Sequence, residues 1–197
     1  MSAPPSPPIL LASTSPQRRA ILEQLQVPFD VVAPRYREEA AAHGDPVAVV
    51  RGHAVEKARS VAADADGRPV LGVDTDVVLD GHIYGKPETA AEAEAMLEEL
   101  SGRTHEVVSG LCLRTQAWED VRGDVTRVSF RRLTPRELSR YVASGEWEGR
   151  AGGYGIQGLG ASLVERIDGD YLNVVGLPGA VLVNVLAERF PGVYGFG

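Results

Sequence analysis

Apolar positions recur along the chain with two periods, and the switches between them mark the elements. Residues 9–12, Ile-Leu-Leu-Ala, are an uninterrupted apolar run of strand length. Ser13-Thr14-Ser15-Pro16 follows with the residues of a helix start, Ser15 as cap and Pro16 at the first helical position, and Ile21, Leu22 and Leu25 then form one stripe. Residues 29–33 read as a second strand and 34–40 as a loop carrying Glu38 and Glu39. Asp45-Pro46 opens a second helix with Val47, Val50, Ala54, Ala58 and Val61 on its apolar face. Lys57 sits beside that face rather than opposite it, either as a buried cation or as one that snorkels to solvent. Thr89 and Glu92 make a capping box ahead of Ala93, Met96, Leu97 and Leu100, and Ser101-Gly102 ends that helix. Residues 103–113 and 121–130 read as a hairpin, Thr134-Pro135-Arg136-Glu137 starts a helix that ends near Gly145, and Pro178 opens a last helix through Ala187.

The stretch 70–87, V-L-G-V-D-T-D-V-V-L-D-G-H-I-Y-G-K-P, organises the rest. At period 2, Leu71, Val73, Thr75, Val77 and Leu79 share one face, and Asp74, Asp76, Val78 and Asp80 share the other with Gly72. One face predicts core and the other a row of carboxylates. Asp80-Gly81 is a tight-turn signal, so 82–84 returns antiparallel and brings Gly85-Lys86-Pro87 back beside the acids. A buried carboxylate near a lysine is a candidate active site; equally, the acids could satisfy loop amides at a strand end and Lys86 be a solvated turn residue.

Composition narrows the chemistry. At 197 residues the chain fits one domain, or one domain with two lobes, with residues 1–8 as a flexible segment. Its formal net charge of −7 gives no overall attraction for a nucleic-acid backbone, so any phosphate recognition is local. Cys112 is the only cysteine, which excludes an internal disulfide and a cysteine-rich zinc site and suits a reducing compartment. Neither a signal peptide nor a membrane span is visible, so the expected location is cytoplasmic and no membrane partner is expected.

Local phosphate chemistry has candidates. Arg18 and Arg19 put positive charge in the first turn of a helix, where the dipole disfavours it and an anion would compensate; a solvated basic turn is the alternative. Gly153, Gly155 and Gly158 form a G-x-G-x-x-G, but it follows a predicted helix and leads into the strand-like 161–167, the reverse of a dinucleotide fingerprint. What remains is a pliant backbone exposing Tyr154 and Gln157 for recognition of a flat ligand, or a plain structural loop. Cations with carboxylates, and no P-loop, suit a phosphate chain bound through a divalent metal.

The order of these pieces carries a resemblance: L-A-S-T-S-P-Q-R-R at 11–19, E-E at 38 and 39, E-K-A at 56–58, D-T at 74 and 75, G-K-P at 85–87, S-G-R-T-H-E-V at 101–107 and G-G-Y-G-I-Q-G at 152–158. It resembles the Maf family of nucleoside triphosphate pyrophosphatases. The resemblance implies hydrolysis of a nucleoside triphosphate to monophosphate and pyrophosphate with Mg²⁺ or Mn²⁺, and commonly a homodimer. It also implies an α/β fold, a mixed elongated sheet with flanking helices and two lobes around a deep cleft, similar to inosine triphosphate pyrophosphatases. Asp74 then looks like the catalytic acid and, with Glu38, a metal ligand; Ser13, Arg18, Lys57 and Lys86 resemble phosphate contacts. Gln17, Thr75 and Gln157 fall where the family chooses its base. Thr75 and Gln157 agree with a dTTP- and UTP-directed branch, whereas Gln17 replaces the first arginine of S-P-R-R and leaves 7-methyl-GTP or another modified nucleotide open. A non-catalytic nucleotide-binding regulator of cell division is the rival of another class, although a binder gains little from retaining a water-activating acid.

Overall fold

The computed structural model describes residues 6–37 and 44–197; Glu38 and Glu39 lie outside the described residues, as do 1–5 of the segment expected to be flexible. The strands are β1 (Ile9–Ala12), β2 (Phe29–Val32), β3 (Val70–Leu79), β4 (His82–Tyr84), β5 (Thr104–Arg114), β6 (Glu119–Phe130) and β7 (Val164–Asp168). The helices are α1 (Pro16–Gln24), α2 (Pro46–Ser60), α3 (Ala90–Leu100), α4 (Pro135–Ala143), α5 (Tyr171–Val175) and α6 (Gly179–Arg189). Among the described residues, seven strands form one sheet in the order β2-β1-β3-β5-β6-β7, with β4 paired to β3 off that path. β1 runs parallel to β2 and β3, while β4 and β7 run antiparallel to their neighbours, so the sheet is mixed and the fold is α/β.

The chain divides into two units. The first comprises the described residues of Met1–Asp74, with Ser109–Asp124 and Gly176–Gly197; the second comprises Thr75–Val108 and Val125–Val175. In the first, β1 is buried along its whole length, and Ile21 and Leu22 of α1 and Leu182, Val185 and Leu186 of α6 are buried as well. Helix α2 comes unusually close to the sheet. A Cβ at Gly72 on β3 would overlap the carbonyl oxygen of Ala54 and stand 2.9 Å from the Cβ of Ala58. A Cβ at Gly110 on the neighbouring β5 would run into the Val50 carbonyl and stand 2.5 Å from the Arg51 nitrogen. At Gly123 on β6 it would meet Val47 Cγ1 at 2.9 Å. Glycines on three adjacent strands thus make a trough for α2, admitting its backbone at Gly72 and Gly110 and its Val47 and Arg51 side chains at Gly123.

This approach corrects the expected division of β3 into a core face and a carboxylate face. The Gly72–Asp74 face is roofed by α2, and β3 is buried on both sides except at Thr75 and Asp76, which are half-buried.

In the second unit, Asp80 and Gly81 take φ of 51° and 80°, the signature of the two-residue hairpin turn, and Val77, Val78 and Leu79 pair with Tyr84, Ile83 and His82. Thr134 and Glu137 form the complete capping box of α4. At α3 the box is half made, because the Glu92 carboxylate reaches past Thr89 to accept from the Glu88 amide at 2.8 Å. The five-residue α5 carries no periodic signal in the sequence and was not expected.

Candidate active site

The trough under α2 is what assembles the chemistry of the first unit. His53 and Lys57 are four residues apart, hence neighbours on one helix face. With Ala54 and Ala58 seated over Gly72, that face is delivered to Asp74, two residues further along β3. Lys57 Nζ donates to Asp74 Oδ1 at 2.6 Å, and His53 Nδ1 meets Asp74 Oδ2 at 2.9 Å. Asp74 and Lys57 retain only 4 % and 6 % of their accessible surface, so the snorkelling alternative for Lys57 falls away.

Arg18 and Ser13 belong to the same unit. Pro16 and the Ser15 cap start α1 as expected, the Ser15 hydroxyl accepting from the Arg18 amide at 3.4 Å. The Arg18 guanidinium turns back, donating through Nη1 to Ser13 Oγ at 3.2 Å and through Nε to the Gly176 carbonyl at 2.9 Å. Ser13 is buried just past the carboxyl end of β1, where α/β sheets bind ligands, and the pairing of Leu11 with Leu71 brings it level with the middle of β3, where Asp74 lies. Gln17 is half-buried and accepts from the Ser15 hydroxyl at 3.0 Å.

Burial by itself would push the Asp74 carboxyl up. The hydrogen bond from His53, the charge and hydrogen bond of Lys57 and the charge of Arg18 outweigh it and hold Asp74 well below the usual carboxylate range. The product is a desolvated acid that is ionised at neutral pH, with the Lys57 ammonium against it.

The remaining predicted positions among the described residues lie in the second unit. Lys86 is exposed, and the preceding carbonyl, Gly85, accepts from the Gly152 amide at 3.0 Å, which ties the G-K-P turn to the glycine-rich segment. Gln157 is exposed on that segment, as expected, but Tyr154 is not. Tyr154 is buried, its hydroxyl 2.7 Å from Nε2 of the equally buried His105 and its ring edge-on to Phe130. The segment is pinned at two more points: the Gly155 amide donates to the Tyr141 hydroxyl at 3.0 Å, and the Glu146 carboxylate accepts from Leu159 and Gly160 at 3.0 and 3.1 Å. The pliant loop of the sequence reading is a fastened one, because a phenol on a glycine-rich stretch can anchor the chain inward as readily as it can face a ligand. Sequence reasoning missed His53, whose signal was its i,i+4 spacing to Lys57. It also missed Gly110 and Gly123, lone glycines within strand patterns.

The family model described as Maf-like protein matches residues 8–189. This chain belongs to the Maf family. The motif order therefore read correctly, and the Maf match takes in both units. A dTTP/UTP pyrophosphatase of Nitratidesulfovibrio vulgaris is 46% identical over 184 residues, covering 92% of this Maf chain and 88% of its own length. A dTTP/UTP pyrophosphatase of Deinococcus radiodurans is 42% identical over 197 residues, the full length of both. The solved structure of the Staphylococcus aureus Ham1 protein is 17% identical with a TM-score of 0.43, covering 63% of this chain and 72% of that one. No helix among the described residues is long and apolar enough to cross a membrane.

Proposed function

We propose that this chain hydrolyses nucleoside triphosphates to the monophosphate and pyrophosphate, with dTTP and UTP as its preferred substrates. The observation that carries the reading is Asp74, buried and ionised between Lys57 and His53. A fold does not keep such a charge for stability alone, since a buried ion pair is often no better than apolar packing of the same volume. The names of the relatives in two bacteria support the reaction and the bases.

The ionised carboxylate suits a divalent metal. Among the described residues each Asp74 oxygen has one hydrogen-bond partner and so keeps a lone pair, and Mg²⁺ is commonly held by one or two carboxylates together with substrate phosphates. Asp74 would be one ligand, and Glu38 is the second expected from the motif order. The ion would polarise the phosphate and offset its charge. The protein's own groups do the rest. Phosphate oxygens entering near Lys57 compete with Asp74 for its ammonium, and each hydrogen bond that Lys57 gives up raises the proton affinity of Asp74 toward what a general base needs. Asp74 then takes the proton of the water that attacks the α-phosphorus. Arg18, whose charge also acts on Asp74, is a second cation able to neutralise charge on the leaving pyrophosphate. Lys86 as a phosphate contact, and Gln17, Thr75 and Gln157 as base contacts, rest on their places in the motif order. The Gln157 amide can donate and accept at once, which matches the carbonyl and N–H edge shared by uracil and thymine. A homodimer is part of the same proposal.

The test is pyrophosphate release from dTTP, UTP, CTP and 7-methyl-GTP with Mg²⁺, read as kcat/KM. The expected order places dTTP and UTP first. Preference for 7-methyl-GTP would overturn the base assignment, and silence across the panel would overturn hydrolysis in favour of a binder.

A further inference from the structure

We infer that His53 is a positioning residue that fixes the orientation of the Asp74 carboxylate; the inference builds on the hydrolytic reading above. A carboxylate turns about its Cβ–Cγ bond unless both oxygens are held. The hydrogen bond from Lys57 goes to Oδ1. Its ammonium is a compact charge with three rotatable donors on a flexible stem, so it sets distance rather than direction. His53 holds Oδ2 through a single ring atom whose N–H direction is set by the plane of the imidazole. An ionised carboxylate only accepts, so the contact requires the proton on Nδ1.

The ring is itself constrained. The His53 side chain keeps 15% exposure and its centroid lies 5.9 Å from that of Tyr36, tilted by 51°. Its backbone belongs to the stretch of α2 that Gly72 and Gly110 admit to the sheet, a position set by backbone contact and not by side-chain packing alone. The division of labour follows. When a triphosphate draws Lys57 away, the His53 contact is the one a phosphate does not compete for by charge, and it keeps the remaining Asp74 lone pairs aimed while the proton moves. Misplacement of a reacting group by about 1 Å costs on the order of 10² in rate.

The experiment compares kcat and KM for dTTP in the wild type, His53→Leu, His53→Ala and His53→Asn. The side-chain nitrogen of asparagine stands at the place of the imidazole Nδ1, so that variant keeps the donor. Loss of the donor is expected to lower kcat by roughly 10 to 100-fold, with KM changed by no more than about 3-fold, and His53→Asn is expected to recover most of the loss. Unchanged kcat in His53→Leu or His53→Ala overturns the inference, and so does equal impairment of all three folded variants. An activity-free readout accompanies it: long-range ¹H–¹⁵N spectra of histidine-labelled protein should show His53 protonated at Nδ1, and changed in Asp74→Asn. A bare Nδ1 overturns the contact. A wild-type chain silent on the nucleotide panel would overturn the reaction, while the spectrum still decides the His53–Asp74 contact.

Discussion

Two histidines of this chain are both held by hydrogen bonds inside the protein, and they do opposite work. His53 in the first unit faces an ionised carboxylate with Lys57 on that acid's other oxygen. His105 in the second faces the Tyr154 phenol and the ring of Phe130, and its Nδ1 has no hydrogen-bond partner among the described residues. Burial alone pushes His105 down to about 4, so it is neutral at physiological pH and pairs with a hydroxyl that burial drives up. A neutral pair costs little to bury and serves to fasten a loop. A charged cluster is expensive to bury and persists where a charge is used.

The largest expected contrast is in turnover. Asp74→Asn removes the acid while conserving shape, and turnover should fall by roughly 10² to 10⁴ with nucleotide binding largely kept. Tyr154→Phe, which breaks the neutral pair, should leave kcat within about 3-fold of wild type, because nothing there touches the reacting atoms. Near-normal turnover in folded Asp74→Asn would remove the acid from the mechanism. Asp74→Asn also leaves the Lys57 ammonium buried without its carboxylate. The double variant with Lys57→Met should be the more stable of the two in urea, since removing both charges avoids the cost of stranding one.

The same contrast explains what the sequence could and could not disclose. The strand at 9–12, the Ser15-Pro16 and Thr134 caps and the Asp80-Gly81 turn are local devices, and each sits where its residues predicted. Asp74 and Lys57 were legible as types out of place, an acid in a strand and a lysine beside an apolar stripe. Their meeting was not, because it depends on Gly72, Gly110 and Gly123 lining up on strands far apart in sequence. Tyr154 was misread as exposed for the same reason, since its partner His105 lies 49 residues away in the sequence, on β5.

The next contrast is in acid. Both groups sit below their ordinary values, so both lend stability that acid removes, but in different windows. His105 falls from 6.5 to about 4. Between those values the unfolded chain binds a proton that the folded chain refuses, so stability declines as pH falls through that range, by about 2 kcal/mol between pH 7 and pH 5 for this group. Asp74 stays ionised in the fold below the 3.8 at which the unfolded acid takes its proton, so its contribution is lost only under more acidic conditions. Urea midpoints at pH 7 and pH 5 check this: His105→Gln should flatten the decline over that interval, and Asp74→Asn should not. An unchanged slope in His105→Gln would show that His105 takes up its proton as readily in the fold as in the unfolded chain.

The smallest effect sharpens the neutral side. Tyr154→Phe strips one hydroxyl and leaves His105 Nε2 without its partner at 2.7 Å, with Nδ1 already lacking one among the described residues. The cost should be about 1 to 2 kcal/mol in urea, the desolvation of a ring nitrogen left bare. Replacing both partners should cost less than the two changes added together, because His105→Leu in the Tyr154→Phe background removes the stranded nitrogen as well. A double-mutant cycle reads that difference directly, and residues in contact should couple by at least about 0.5 kcal/mol. Additivity would mean that the pair contributes packing against Phe130 and no hydrogen bond. The fastening of the glycine-rich segment would then rest on Tyr141 and Glu146, which hold the amides of Gly155, Leu159 and Gly160.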